Sequence, residues 1–118
     1  MGDFRKLIAW QKAHALMIAV HAAFSGRIAH TAPGLRAQIL RAVKSIPDNL
    51  AEGCAKRSRR ELARFGDMAY GSAKEVMNQL IQARDLGILS RSQFEDLATR
   101  CDEVCRLCFA LSRIPPEE

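Results

Sequence analysis

The sequence predicts an all-α protein of four helices. Three observations carry that prediction. Apolar residues recur every three or four positions in four separate stretches, the spacing of one helical face. No stretch of useful length alternates apolar and polar residues as a strand would. Proline and glycine gather where the periodic stretches end. With 118 residues, 48% of them apolar, the chain suits one domain over residues 1–118 with a substantial core. Aromatic residues make up only 6%, so Ala and Leu must carry the helix-on-helix packing.

The first helix is expected from about Phe4 to Phe24, with Leu7, Trp10, Ala13, Met17, Val20 and Phe24 on one stripe and Leu16 beside it. Ser25-Gly26 is expected to end it, Ile28 to extend its packing by a turn, and Pro33-Gly34 to close the loop. The second helix presents Leu35, Ile39, Val43, Ile46, Leu50 and Cys54 on its apolar face. Pro47 lies inside that pattern, where a proline costs about 3 kcal/mol and often ends a helix. The apolar phase continues past it without a slip, which predicts a kink rather than a break. Gly53 is expected to close the helix in the left-handed conformation.

Ser58 and Glu61 have the spacing of a capping box, opening a third helix from about Arg59 to Leu86 with Gly87 as its stop. That helix carries two apolar stripes. One is Leu62, Phe65, Ala69, Ser72, Val76 and Ala83; the other is Tyr70, Ala73, Met77 and Ile81. A bundle has one interior, so the second stripe points to a neighbouring subunit; the alternative is a single wide core-facing stripe. Gly71-Ser72 is read as a tight helix crossing, because a mid-helix glycine costs about 1 kcal/mol relative to alanine. The fourth helix starts at Ser90 or Ser92, with Gln93 or Glu95 to complete a capping box. Its core stripe is Phe94, Leu97, Cys101, Val104, Cys108 and Leu111; Pro115-Pro116 stops it, and the last two glutamates are expected to fray.

The net charge of +5 is a moderate excess that favours anionic partners. It concentrates in Lys56, Arg57, Arg59 and Arg60, with Arg64 one turn on. Arg59 and Arg60 fall in a first helical turn, where the macrodipole disfavours cations. A phosphate would compensate them, since a helix N-terminus with arginines is a ready anion site. Pairing with Glu52, Glu61 or a neighbour's carboxylate is the alternative. These five cations are the candidate nucleic-acid-binding residues. No aromatic residues interleave with them, so contact with RNA or DNA is expected at the backbone. The polar face of the second helix holds Gln38, Arg41, Ser45, Asn49 and Glu52, spaced 3, 4, 4 and 3 apart. This ridge suits either water or another protein surface; with Tyr70, Met77 and Ile81 it forms the candidate subunit interface.

Little else suggests chemistry. Cys101, Cys105 and Cys108 have the C-x-x-x-C-x-x-C spacing of the iron–sulfur loop in radical enzymes, but here they fall in register with a helical core stripe. They are read as small apolar packing groups. His14 and His21 lie about 10.5 Å apart along one helix, too far to share a metal. No nucleophile–base pair, phosphate-binding glycine loop or paired catalytic carboxylate stands out. No enzyme activity, cofactor or metal is expected. Ala13 to Phe24 is too short to span about 30 Å of hydrocarbon, and no leader pattern is visible. Four cysteines without a secretory signal point to reduced thiols in the cytoplasm.

The segments QILRAVKSIPDNLAEG and RSRRELARFGDMAYGSAKE resemble the bacterial four-helix-bundle proteins encoded within intervening sequences of 23S rRNA genes. That family's pattern falls here on Gln38, Arg41, Ala42, Ser45, Ile46, Pro47, Asn49, Ala51, Glu52, Gly53, Arg57, Ala69, Gly71, Ser72 and Glu75, with its early W-Q-K-A at Trp10 to Ala13. The first loop departs from the pattern, with SGRIAHTAPG in place of an aromatic-proline and acidic segment. The resemblance implies an up-down-up-down bundle with a proline-kinked second helix, often a homopentamer, and no known catalytic activity. A more distant similarity is to accessory proteins of diversity-generating retroelements, which partner a reverse transcriptase and bind nucleic acid. The combined expectation is a non-enzymatic, cytoplasmic, oligomeric scaffold or accessory protein touching RNA or DNA backbone through its basic turn. The alternative is a purely protein-binding homo-oligomer.

Overall fold

Four helices run α1 Ile8–Ala23, α2 Pro33–Cys54, α3 Arg59–Asp85 and α4 Arg91–Ser112, with short 3-10 turns at Phe4–Lys6 and Gly26–His30. The computed structural model describes residues 2–116, Arg27 by its backbone only. Each helix packs on its neighbours in sequence, and α1 closes the ring against α4. The result is an antiparallel four-helix bundle measuring 51 × 21 × 18 Å, without a strand among the described residues. The two terminal glutamates expected to fray lie outside the described residues.

The core is one apolar cluster fed by every helix. Leu16 and Val20 from α1, Ile39, Val43, Ile46 and Leu50 from α2, Ala73, Val76 and Leu80 from α3, and Cys101, Val104 and Cys108 from α4 are fully buried. Each large apolar side chain removed from water contributes about 1.5–3 kcal/mol. Among the described residues the one ion pair between helices is Lys12–Glu103 at 3.5 Å, with both side chains about half exposed. Such a pair contributes at most about 1 kcal/mol. Burial therefore holds the bundle together, and ion pairs decorate it.

Several expectations need correction. The first helix is not continuous from Phe4. Asp3 accepts from the Arg5 backbone N–H at 3.0 Å and starts a separate 3-10 turn; Leu7 is then extended, and α1 begins at Ile8. Pro33 does not close the loop but opens α2, where its missing N–H would have no helical partner in any case. Ala32 before it takes φ 51°.

As predicted, α2 passes through Pro47 without ending, and the ring is buried. Gly53 does not terminate the helix in a left-handed conformation, since α2 continues to Cys54. Its lack of a side chain serves packing: a Cβ there would lie 2.9 Å from Phe65 Cβ and 3.2 Å from Leu62 Cδ1. Of the pair Gly71-Ser72, Gly71 faces open space, whereas Ser72 does lie at a close crossing, its Oγ 2.6 Å from Ser45 Oγ on α2. The close α3–α4 approach is at Gly66, where a Cβ would meet Leu111 Cβ at 3.0 Å.

The second stripe of α3 is wider core rather than a separate face over most of its length. Ala73 is fully buried, and Tyr70 and Met77 are half-buried against the core, whereas Ile81 is exposed. Gly87, at φ 74°, ends α3 as expected, and the Ile88 N–H closes back on the Ala83 carbonyl at 2.8 Å.

Candidate nucleic-acid interface and subunit surface

The basic turn is built by the close seating of α2 on α3. Gly53 lets Phe65 approach, and Phe65 becomes a buried ring between two cations. Lys56 Nζ lies 5.4 Å from its centroid and Arg64 Cζ 4.7 Å. Ser58 is extended, and its Oγ accepts from the Glu61 N–H at 3.2 Å. The expected reciprocal half of that box is missing. The Glu61 carboxylate instead accepts from Arg64 Nε at 2.6 Å, a hydrogen bond that holds its carboxyl below the usual range. Lys56 and Arg64 are thus engaged within the chain. Arg57, Arg59 and Arg60 form no ion pair among the described residues. Arg57 and Arg60 are exposed and Arg59 is half-buried. Three cations therefore stand beside the N-terminus of α3, where the macrodipole and one another disfavour them.

The polar ridge of α2 divides in two. Ser45 Oγ lies 2.6 Å from Ser72 Oγ on α3 and 2.9 Å from the Ala42 carbonyl, while Asn49 Nδ2 donates to the Ser45 carbonyl at 2.8 Å. These two side chains stitch α2 to itself and to α3. Gln38, Arg41 and Glu52 remain exposed. Gln38 and Ile81 both line a shallow groove between α2 and α3 that also carries Leu35 and Leu86. Ile81 is 37% and Leu86 68% exposed. Nearby on α3, Gln79 is buried, and its Oε1 accepts no hydrogen bond among the described residues. Tyr70, grouped with Ile81 in the sequence, turns instead toward α4 and packs against Phe109 at 5.4 Å between centroids.

Phe109 and its neighbours Arg106 and Arg113 are the surface residues that sequence reasoning missed. The signal was present: Arg60, Arg64, Asp67, Tyr70 and Lys74 follow one another at four, three, three and four positions, tracing one face of α3. Phe109 stands off the core stripe of α4 with Arg113 four places on.

The thiols sit inside the bundle. Cys101 Sγ donates to the Ala73 carbonyl at 3.3 Å. Its contact with Cys105, then burial, pushes the Cys101 thiol far above the ordinary range, and the same contact draws Cys105 down. Burial pushes Cys108 up to about 12. No group of three or more His, Cys, Asp or Glu among the described residues is arranged to hold a metal ion. His14 is exposed and stacks on Trp10 at 4.8 Å; His21 is exposed a further two turns on. Among the described residues no helix is long and apolar enough to cross a membrane.

The architecture defined here is that of an antiparallel four-helix bundle with one basic inter-helix turn. Residues 5–110 match the family described as 23S rRNA-intervening sequence protein. The chain belongs to that family. A crystal structure of a protein of unknown function from the S23 ribosomal protein family of Bacteroides thetaiotaomicron VPI-5482 superposes with a TM-score of 0.81 at 18% identity, covering 91% of this chain and 100% of that one. At that identity the likeness establishes the fold. No curated protein matches the chain.

Proposed function

We propose that this protein is a non-enzymatic, oligomeric scaffold or accessory protein of the cytoplasm whose α2–α3 turn contacts the phosphate backbone of RNA or DNA. The observation that supports it most is the group Arg57, Arg59 and Arg60, without ion-pair partners among the described residues at the start of α3. A phosphate there would relieve both their mutual repulsion and their conflict with the helix dipole. Assembly into a ring, a pentamer by family resemblance, would repeat the turn around an axis and turn weak single contacts into avidity.

The test is RNA binding measured across a salt series for the parent and for Arg57→Gln, Arg59→Gln and Arg60→Gln combined. Phosphate contacts release counterions, so the slope of log affinity against log salt should fall in magnitude by roughly 0.7 for each contact removed. Oligomer size and helicity should be unchanged. Equal binding by the parent and the triple variant throughout the series would remove the turn from the contact.

A second reading, a purely protein-binding homo-oligomer, draws on the groove of Gln38, Ile81 and Leu86. Dissociation of the triple arginine variant into monomers would favour it, because the arginines would then belong to a subunit contact.

A further inference from the structure

Arg60 and Arg64 do not belong to the turn alone. They begin a face of α3 that continues to Tyr70 and Lys74, and α4 lays Arg113, Phe109 and Arg106 beside it. Two shallow hollows, of about 390 and about 300 Å³, lie end to end along this seam and share the Tyr70–Phe109 pair as their common wall. The two rings are tilted by 58°. Phe109 is 42% exposed, a large ring left in water at the middle of a charged surface. Arg113 Cζ stands 4.8 Å from the Phe109 centroid and Lys74 Nζ 5.6 Å from that of Tyr70. Five cationic side chains line the seam, Arg60, Arg64, Lys74, Arg106 and Arg113, against the carboxylates of Asp67 and Asp102. Arg64 and Arg106 are held by exposed ion pairs to Glu61 and Asp102, which a phosphate can displace at small cost.

We infer that this α3–α4 seam is a single-stranded nucleic-acid site, with Tyr70 and Phe109 as a stacking platform and Arg60, Lys74 and Arg113 as its phosphate contacts. The inference rests on the nucleic-acid reading above and extends it from the turn to the bases. Any base offers a π-face, so the exposed Phe109 ring beside the half-buried Tyr70, bordered by cations, accepts a strand without regard to sequence. A duplex keeps its bases stacked on one another and out of reach, so the site selects unpaired strands. From Arg60 to Lys74 the helix rises about 21 Å, room for a short run of nucleotides. A second copy of the same face is a poor occupant, because a two-fold contact would set this excess of cations against itself. Base stacking is thereby added to the backbone contact expected of the turn: the aromatic residues missing from the turn's sequence would come from α3 and α4 across the seam.

Tyr70 is the only tyrosine in the chain, so labelling with 3-fluorotyrosine places a single fluorine resonance in the site. That resonance should shift on addition of a short oligouridylate and shift much less with an abasic strand of equal length, which keeps the phosphates but offers no base to stack. Uridine monophosphate should move it only at far higher concentration. Phe109→Leu, which keeps an apolar side chain and removes the ring, should weaken oligouridylate binding about tenfold while leaving the salt slope unchanged. If the strand binds in a salt-dependent way but Phe109→Leu binds equally well and the resonance does not move, the seam is not the site, and the proposal for the turn stands alone. An equal shift with the abasic strand overturns the stacking role, and equal affinity for the mononucleotide overturns the strand assignment. A change of oligomer mass in Phe109→Leu makes the seam a subunit contact and ends the proposal. Absence of strand binding at any salt removes this inference and the reading it rests on together.

Discussion

Single atoms decide how closely the helices of this bundle sit. Gly53 and Gly66 are places where a methyl group would collide with the next helix, and Gly71 is a place where it would meet nothing. Gly71→Ala should stabilise the protein by about 0.5–1 kcal/mol, the ordinary gain from replacing an exposed mid-helix glycine. Gly53→Ala gains the same propensity but must push Phe65 aside at its Cβ, which is part of the backbone frame and not the end of a flexible chain. Overpacking of that kind costs about 1–3 kcal/mol, so the net effect should be a loss of up to about 2.5 kcal/mol. Urea unfolding of the two variants should move the midpoint in opposite directions, and a stabilising Gly53→Ala would show that α2 and α3 can slide apart cheaply. The thiols set a pH dependence at the same scale. Cys108 titrates at about 12 in the folded chain against an ordinary 9.0. Between those values the folded state binds the proton that the unfolded state has lost. The resulting stability is complete below pH 9 and is lost as pH rises toward the folded value, at a slope of at most about 1.4 kcal/mol per unit. Cys108→Ala should flatten the fall in stability between pH 9 and 11, and an unaltered profile would mean that the thiol is not shielded in solution.

The helices show what was legible in the sequence and what was not. Their number, their apolar stripes and the passage of α2 through Pro47 could all be read from spacing, because the pattern of burial along a helix is local information. The ends of helices were half legible. Ser90 and Gln93 form a reciprocal box, with Ser90 Oγ accepting at 3.1 Å and Gln93 Oε1 accepting from the Ser90 N–H at 2.9 Å. Ser58 and Glu61 have the same spacing, yet Arg64 takes the carboxylate. Competition from a side chain three places further on decides between these outcomes. Glu61→Ala should therefore leave the start of α3 nearly as stable as before, while Ser90→Ala should cost about 1 kcal/mol by removing the acceptor for an otherwise unmet N–H. A comparable loss in both variants, measured by thermal unfolding, would restore the full box at Ser58. The meanings of Gly53, Gly66 and Gly71 were not legible at all, since each depends on which residue of another helix lies opposite. The candidate seam shares that limit: Tyr70 and Phe109 are 39 positions apart, and only the antiparallel register of α3 and α4 brings their rings together.

At the scale of the whole molecule, the surface carries more apolar area than the bundle itself uses. Ile81 and Leu86 flank the α2–α3 groove with Gln38, and Gln79 leaves a buried amide oxygen without a donor among the described residues close by on α3. An unmet buried acceptor costs about 1–3 kcal/mol, and a donor brought by another subunit is one way to recover it. The ridge residues still facing outward, Gln38, Arg41 and Glu52, offer amide and charged groups on the adjoining face of α2. The protein should therefore sediment as a defined oligomer at micromolar concentration. Ile81→Glu with Leu86→Glu places two charges in the groove, which a dry contact cannot solvate, and should shift the assembly to monomers with helicity retained. Phe109→Leu, on the far seam, should leave the assembly intact. A monomeric parent protein would remove the oligomer from this picture. An oligomer indifferent to the two glutamates would move its contacts away from the α2–α3 groove and leave Gln79 to be satisfied by water.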